Sequence, residues 1–137
     1  MKYIGLDLGS KTLGIAISDS LGMIARALET YRFEEDDYLS AANYIIDVAK
    51  KEGVTTLILG NPKHMNGDDG IRSQISFDFK KLIEDNSNLK VILEDERLTS
   101  VIVDKAMIKG DLRREKRKQK KDEMAAVVIL QNYLDRN

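Results

Sequence analysis

Apolar and polar residues alternate from the third position of the chain. In Tyr3–Leu8, Ile4, Leu6 and Leu8 fall on one face and Tyr3, Gly5 and Asp7 on the other, the period-two pattern of a strand. Gly9-Ser10-Lys11 makes a tight turn into Thr12–Ser18, where Leu13, Ile15 and Ile17 oppose Gly14, Ala16 and Ser18. A turn at Asp19-Ser20-Leu21-Gly22 leads into Met23–Phe33, a third strand that completes an antiparallel meander. The period then changes. Leu39, Ala42, Ile45, Ile46 and Ala49 recur at three- and four-residue spacings and predict a helix over Asp37–Glu52, closed by Gly53. Val54–Leu59 is a short apolar run with β-branched residues and reads as a buried strand. The loop Asn61–Gly70 holds the proline, an Asn66-Gly67 turn signal and the acidic pair Asp68-Asp69. Ile71, Ile75, Phe79, Leu82 and Ile83 mark a second helix with Asp69 as its N-cap, and Leu89–Leu93 a fifth strand. Val101–Ile108 reads as a short third helix, and a closing helix runs from about Lys121 to Leu134.

The order β-β-β-α-β-α-β-α-α predicts an α/β fold, a five-stranded mixed sheet with helices on both faces. A chain of 137 residues is expected to form one domain, and 42% hydrophobic residues suffice for its core. Without cysteine there are no disulfides, no thiolate-bound zinc and no thiol nucleophile. No apolar run is long enough to span a membrane, and Asp7 interrupts the stretch where a signal peptide needs continuity. A soluble cytoplasmic protein is expected. Charge changes the picture more. The net charge is −1, yet eight Lys/Arg and two acids between Lys109 and Lys121 give that block +6. A basic block on an acidic body is the footprint of a polyanion-binding protein, or else a solvated loop whose charges keep it from packing.

Three acidic sites stand out. Asp7 lies inside a strand expected at the centre of the sheet, where an unpaired carboxylate costs several kcal/mol. The positions beside it are Gly5, Gly9, Gly14, Ala16 and Ser18, small enough for a helix or a ligand to come close. The alternative is a carboxylate capping the next turn. Asp122 shares one helical face with Ala126, Ile129, Leu130 and Tyr133, which places it on the buried stripe. Its alternative role is to complement the dipole at the start of the helix. Glu94-Asp95-Glu96 ends the fifth strand, and Arg97 is available to neutralise that run. Carboxylates from distant stretches are what Mg²⁺ or Mn²⁺ requires, and metal-assisted phosphodiester hydrolysis needs no histidine. His64, in the polar loop, is expected at the surface or against substrate. No nucleophile elbow, P-loop or Rossmann glycine pattern is present.

Four segments carry a resemblance: GLDLGSKTLGIAISD at Gly5–Asp19, GNPKHMNGDDGIR at Gly60–Arg72, EDERLTS at Glu94–Ser100 and KKDEMAAVVILQNYLD at Lys120–Asp135. In order and spacing they resemble the YqgF/RuvX family of the ribonuclease H-like superfamily of nucleases. The resemblance implies a single ribonuclease H-like nuclease domain over 1–137. It also implies a catalytic, metal-holding triad of Asp7, Glu96 and Asp122, with Asp95 as the alternative to Glu96. Related resolvases carry an acid at the end of the fourth strand, where this chain has Asn61-Pro62. Lys11, Arg72, Arg97, Arg113, Arg114, Lys116, Arg117 and Lys118 become the candidate nucleic-acid contacts, and Thr99 caps the helix that follows. The family's roles imply an enzyme that trims the 5′ end of precursor 16S rRNA, or one that resolves Holliday junctions. A non-catalytic ribosome-assembly factor is the third reading. The expected assembly is a monomer or a homodimer.

Overall fold

The first two strands pair because their apolar faces coincide. β1 (Tyr3–Leu8) and β2 (Thr12–Ser18) form an antiparallel ladder with Leu6 opposite Ile15 and Asp7 opposite Gly14. β3 (Ala25–Arg32) lies outside β2, with Gly14 opposite Thr30 and a bulge at Leu28 where the register shifts between Ile15 and Ala16. The strand begins two residues later than its pattern predicts, because Met23 and Ile24 are claimed by the turn. Their N–H groups donate to the Asp19 carboxylate at 2.7 and 3.2 Å, and Gly22 takes φ +70°. Those bonds hold the Asp19 carboxyl below its ordinary value.

The computed structural model describes residues 1–61, 70–95 and 114–136, the side chains of 70–73, 95 and 114–123 excepted. The expected helix Val101–Ile108 and the loop residues 62–69, with the Asp69 cap, lie outside the described residues. α1 (Tyr38–Glu52) starts where the Asp37 carboxylate accepts the Ser40 N–H, and ends at Gly53 in the left-handed region, φ +71°. Val54 donates to the Ala49 carbonyl at 2.8 Å and so belongs to the helix closure. That is why β4 (Thr56–Asn61) begins two residues later than the apolar run and continues to Asn61. α2 (Gly70–Asp85) and β5 (Lys90–Asp95) follow the expected pattern.

β4 pairs parallel to β1 and β5 parallel to β4, giving the sheet order β3-β2-β1-β4-β5 with β1 at the centre. One face carries Ile4, Leu6, Leu13, Ile15, Leu57 and Leu59 against Ala42 and Ile45 of α1 and Phe79 and Ile83 of α2. The other carries Ala16 and Ile58 against Ala126, Ile129, Leu130 and Leu134 of the last helix, α3 (Arg114–Arg136). The mixed five-stranded sheet with helices on both faces is therefore the architecture found. Its last helix begins seven residues before the expected Lys121, so from Arg114 onward the basic block is helical and not a loop. Arg, Lys, Gln and Glu are good helix formers but carry no apolar period, and periodicity registers only the half of a helix that is buried. Among the described residues no helix is long and apolar enough to cross a membrane.

Candidate active site

Asp7 is half-buried near the C-terminal end of the central strand. Gly5, two residues earlier on the same face, lies directly beneath α3. A Cβ built there would stand 2.6 Å from Leu130 Cβ and 2.9 Å from the Ala126 carbonyl oxygen. Glycine is what lets the helix backbone sit this close to the strand. At the other end of β1 the Tyr3 ring meets Tyr133 edge-on, with centroids 5.6 Å apart. As β1 runs from Tyr3 to Gly5, its contacts on α3 step back from Tyr133 to Ala126, so the helix runs antiparallel to the strand. Continuing both by one step, about 6.6 Å along the strand and about 6 Å along the helix, brings the turn holding Asp122 level with Asp7. The stripe predicted for this helix is the one that packs: Ala126, Ile129 and Leu130 are fully buried and Tyr133 joins them. Asp122 is the ninth residue of α3, beyond the first turn in which a carboxylate meets the helix dipole.

The acidic run at the end of β5 resolves in part. Glu94 is buried at 3% exposure and accepts a hydrogen bond from the Arg136 guanidinium, which that contact holds more firmly protonated. The cation neutralising Glu94 thus comes from the far end of α3, 42 residues on, and the expected partner Arg97 lies outside the described residues. Glu94 shares the α3-facing parity of Ile92, whereas Asp95 is the next strand position and pairs in register with Asn61. Asn61 closes β4 and is buried. Glu96, Thr99, Arg113 and His64 also lie outside the described residues. Among the described residues no three metal-ligating side chains gather, and Asp7 is the one triad member whose side chain is described.

Those candidate nucleic-acid contacts that belong to described elements lie around the same end of the sheet. Lys11 is exposed in the turn that follows β1. That turn is tied to the segment after β3, its Lys11 and Ser10 carbonyls accepting from the N–H groups of Phe33 and Asp36 at 2.9 and 2.8 Å. Arg72 belongs to the first turn of α2, and Arg114, Lys116, Arg117 and Lys118 to the first two turns of α3. From Ala126 back to Arg114 the helix rises about 18 Å, whereas only about 10 Å of β1 remain beyond Gly5. The basic turns therefore extend past the strand end that carries Asp7. Cations at a helix N-terminus oppose its dipole, so helix stability does not account for them.

A five-stranded mixed sheet of this order, with an acid on the central strand and a helix laid across it, is the ribonuclease H-like fold. Among solved structures the fold matches Thermus thermophilus RuvC in complex with a Holliday junction substrate, with TM-score 0.61 and 12% identity over 98% of this chain and 94% of that one. The fowlpox virus Holliday junction resolvase matches with TM-score 0.58 and 19% identity over 99% of each chain. At the level of sequence, the RuvX family model, described as Holliday junction resolvase, matches residues 1–136. Staphylococcus aureus proteins named "Putative pre-16S rRNA nuclease" are 42% identical over 135 residues, 98% of this chain and 95% of theirs. The chain belongs to the RuvX family.

Proposed function

We propose that the protein is a metal-dependent endonuclease that hydrolyses phosphodiester bonds of structured nucleic acid in the cytoplasm, and that its substrate is the 5′ end of precursor 16S rRNA. One observation carries the reading: the close approach of α3 to β1 at Gly5, which brings the turn of Asp122 level with Asp7. Glu96, or Asp95 in its place, completes the set by its match to the acidic run of the family's motif. Three carboxylates with no cysteine form an all-oxygen donor set, which suits Mg²⁺ or Mn²⁺. Such an ion supplies Lewis acidity for attack of water on a phosphodiester. The chain's part is to hold the three carboxylates at one place, and to seat the flanking phosphates on Lys11, Arg72, Arg97, Arg113 and the basic turns of α3. The rRNA substrate is supported by the name borne by the 42%-identical relatives.

The family description favours a second reading, Holliday junction cleavage, which would call for a homodimer presenting two sites; rRNA trimming is compatible with a monomer. A cleavage panel decides. Precursor 16S rRNA and a four-way DNA junction are incubated with the wild type and Asp7→Asn, with Mg²⁺ or with chelator. Mg²⁺-dependent cleavage of the rRNA, abolished by Asp7→Asn at unchanged melting temperature, is the expected result. Cleavage of the junction alone moves the assignment to the second reading. Tight binding of RNA with no product from the wild type overturns the nuclease assignment in favour of an assembly factor.

A further inference from the structure

The α3-facing side of the sheet carries a row that crosses all five strands at the level of Asp7. Glu94 stands opposite Gly60, Asp7 opposite Gly14, and Gly14 opposite Thr30. The parallel register Leu6 to Leu59, carried on by one residue, sets Asp7 beside Gly60. Polar side chains and glycines therefore alternate along the row, so no side chain of the sheet itself stands between Thr30 and Asp7. Thr30 lies on this face because of the bulge at Leu28. Thr30 is itself half-buried, yet its Oγ1 is beyond the reach of solvent, so the hydroxyl is turned away from the open edge of the sheet. Among the described residues nothing forms a hydrogen bond with it. A buried hydroxyl without a partner is an uncommon feature that asks for an explanation.

We propose that Thr30 is a positioning residue for Asp7, its hydroxyl holding the Asp7 carboxylate through one shared water above Gly14. Strands about 4.8 Å apart set the two Cβ atoms about 9.6 Å apart, and the reach of the two side chains leaves about 6 Å between their oxygens. That is two hydrogen-bond lengths of about 2.8 Å each. The Thr30 O–H donates to the water, and the water donates to the carboxylate. The bond fixes the Asp7 rotamer, and with it the direction in which its carboxylate would meet a cation. This rests on the reading of Asp7 as a metal ligand. Groups that orient metal ligands in this way typically change metal affinity or activity by about 10–100-fold when removed.

The test compares the wild type, Thr30→Val, Thr30→Ser and Asp7→Asn as full-length chains. Mn²⁺ binding is followed by electron paramagnetic resonance, alongside Mg²⁺-dependent cleavage and thermal melting. Thr30→Val keeps the β-branched shape and removes the hydroxyl, so its melting temperature stays level or rises. Its Mn²⁺ affinity and cleavage rate fall by about tenfold, and Thr30→Ser restores both. A crystal structure shows a water within hydrogen-bond distance of Thr30 Oγ1 and the Asp7 carboxylate. Wild-type metal affinity and cleavage in Thr30→Val, or the hydroxyl bonded elsewhere, overturns the proposal while leaving the Asp7 reading standing. Mn²⁺ binding undiminished in Asp7→Asn overturns that reading, and the role of Thr30 with it.

Discussion

On the α1 side of the sheet the Tyr44 hydroxyl donates to the Glu29 carboxylate, and its ring stacks on Tyr31 with centroids 4.0 Å apart. The hydrogen bond to Glu29, aided by burial, pushes the Tyr44 phenol up to about 12 from an ordinary 10. A raised value means the folded state holds the proton more tightly than the unfolded chain. Its contribution to stability is complete below pH 10 and is lost as the pH rises from 10 through about 12. Ultraviolet titration of the tyrosinates is expected to show a late-ionising group that disappears in Tyr44→Phe. The alkaline fall in melting temperature is then shallower in that variant. A titration in which wild type and Tyr44→Phe show no difference above pH 10 would remove the Glu29 contact from the account. The same locality governs Asp7: its chemistry follows from which groups share its face, and the residues beside it in sequence point to the other core.

At the scale of elements, the contact between β1 and α3 decides the geometry of the site. Gly5→Val places branched carbon where 2.6 Å already separates a Cβ from Leu130, and the obstacle at 2.9 Å is main chain that cannot rotate away. Overpacking of this kind typically costs about 1–3 kcal/mol, and here it lifts α3 off the sheet. The expected outcome is a lower denaturation midpoint together with loss of cleavage, because Asp122 rides on the displaced helix. Gly5→Val with native stability and full activity would show that α3 does not rest on β1 as described. The C-terminal turns pin the helix from both sides. The Gln131 amide bonds the Ala25 N–H at 2.9 Å and the Met23 carbonyl at 3.0 Å, and Arg136 reaches Glu94 across the sheet.

For the whole molecule the uneven charge matters most. The block Lys109–Lys121 carries +6 in a chain of net −1, and its helical part runs beyond the strand end that bears Asp7. On the proposed reading, the negative remainder of the chain and this positive end together steer a nucleic acid toward Asp7. Changing Arg114, Lys116, Arg117 and Lys118 together to Gln should weaken binding of structured RNA. If all four contact phosphates, the log–log salt dependence becomes shallower by about 3. Fluorescence anisotropy across a potassium chloride series measures the slope, and an unchanged slope would place the phosphate contacts elsewhere.

Much of this was legible in the chain. Apolar period and capping chemistry are local, so five strands, α1 between Asp37 and Gly53, and the buried stripe from Ala126 to Tyr133 followed from neighbouring residues alone. So did the singling out of Asp7 and Asp122, because a carboxylate on an apolar pattern is conspicuous wherever the strand or helix goes. The tertiary structure decided what depends on distant segments meeting. It fixed the place of β1 between β2 and β4, the pairing of Glu94 with Arg136 in preference to a near neighbour, and the start of α3 in residues that carry no apolar period. It also decided the face of Thr30, since plain alternation from Ala25 would turn that side toward α1. The bulge at Leu28 reverses it, and a bulge arises from the fit between two strands, which neither strand's own sequence contains.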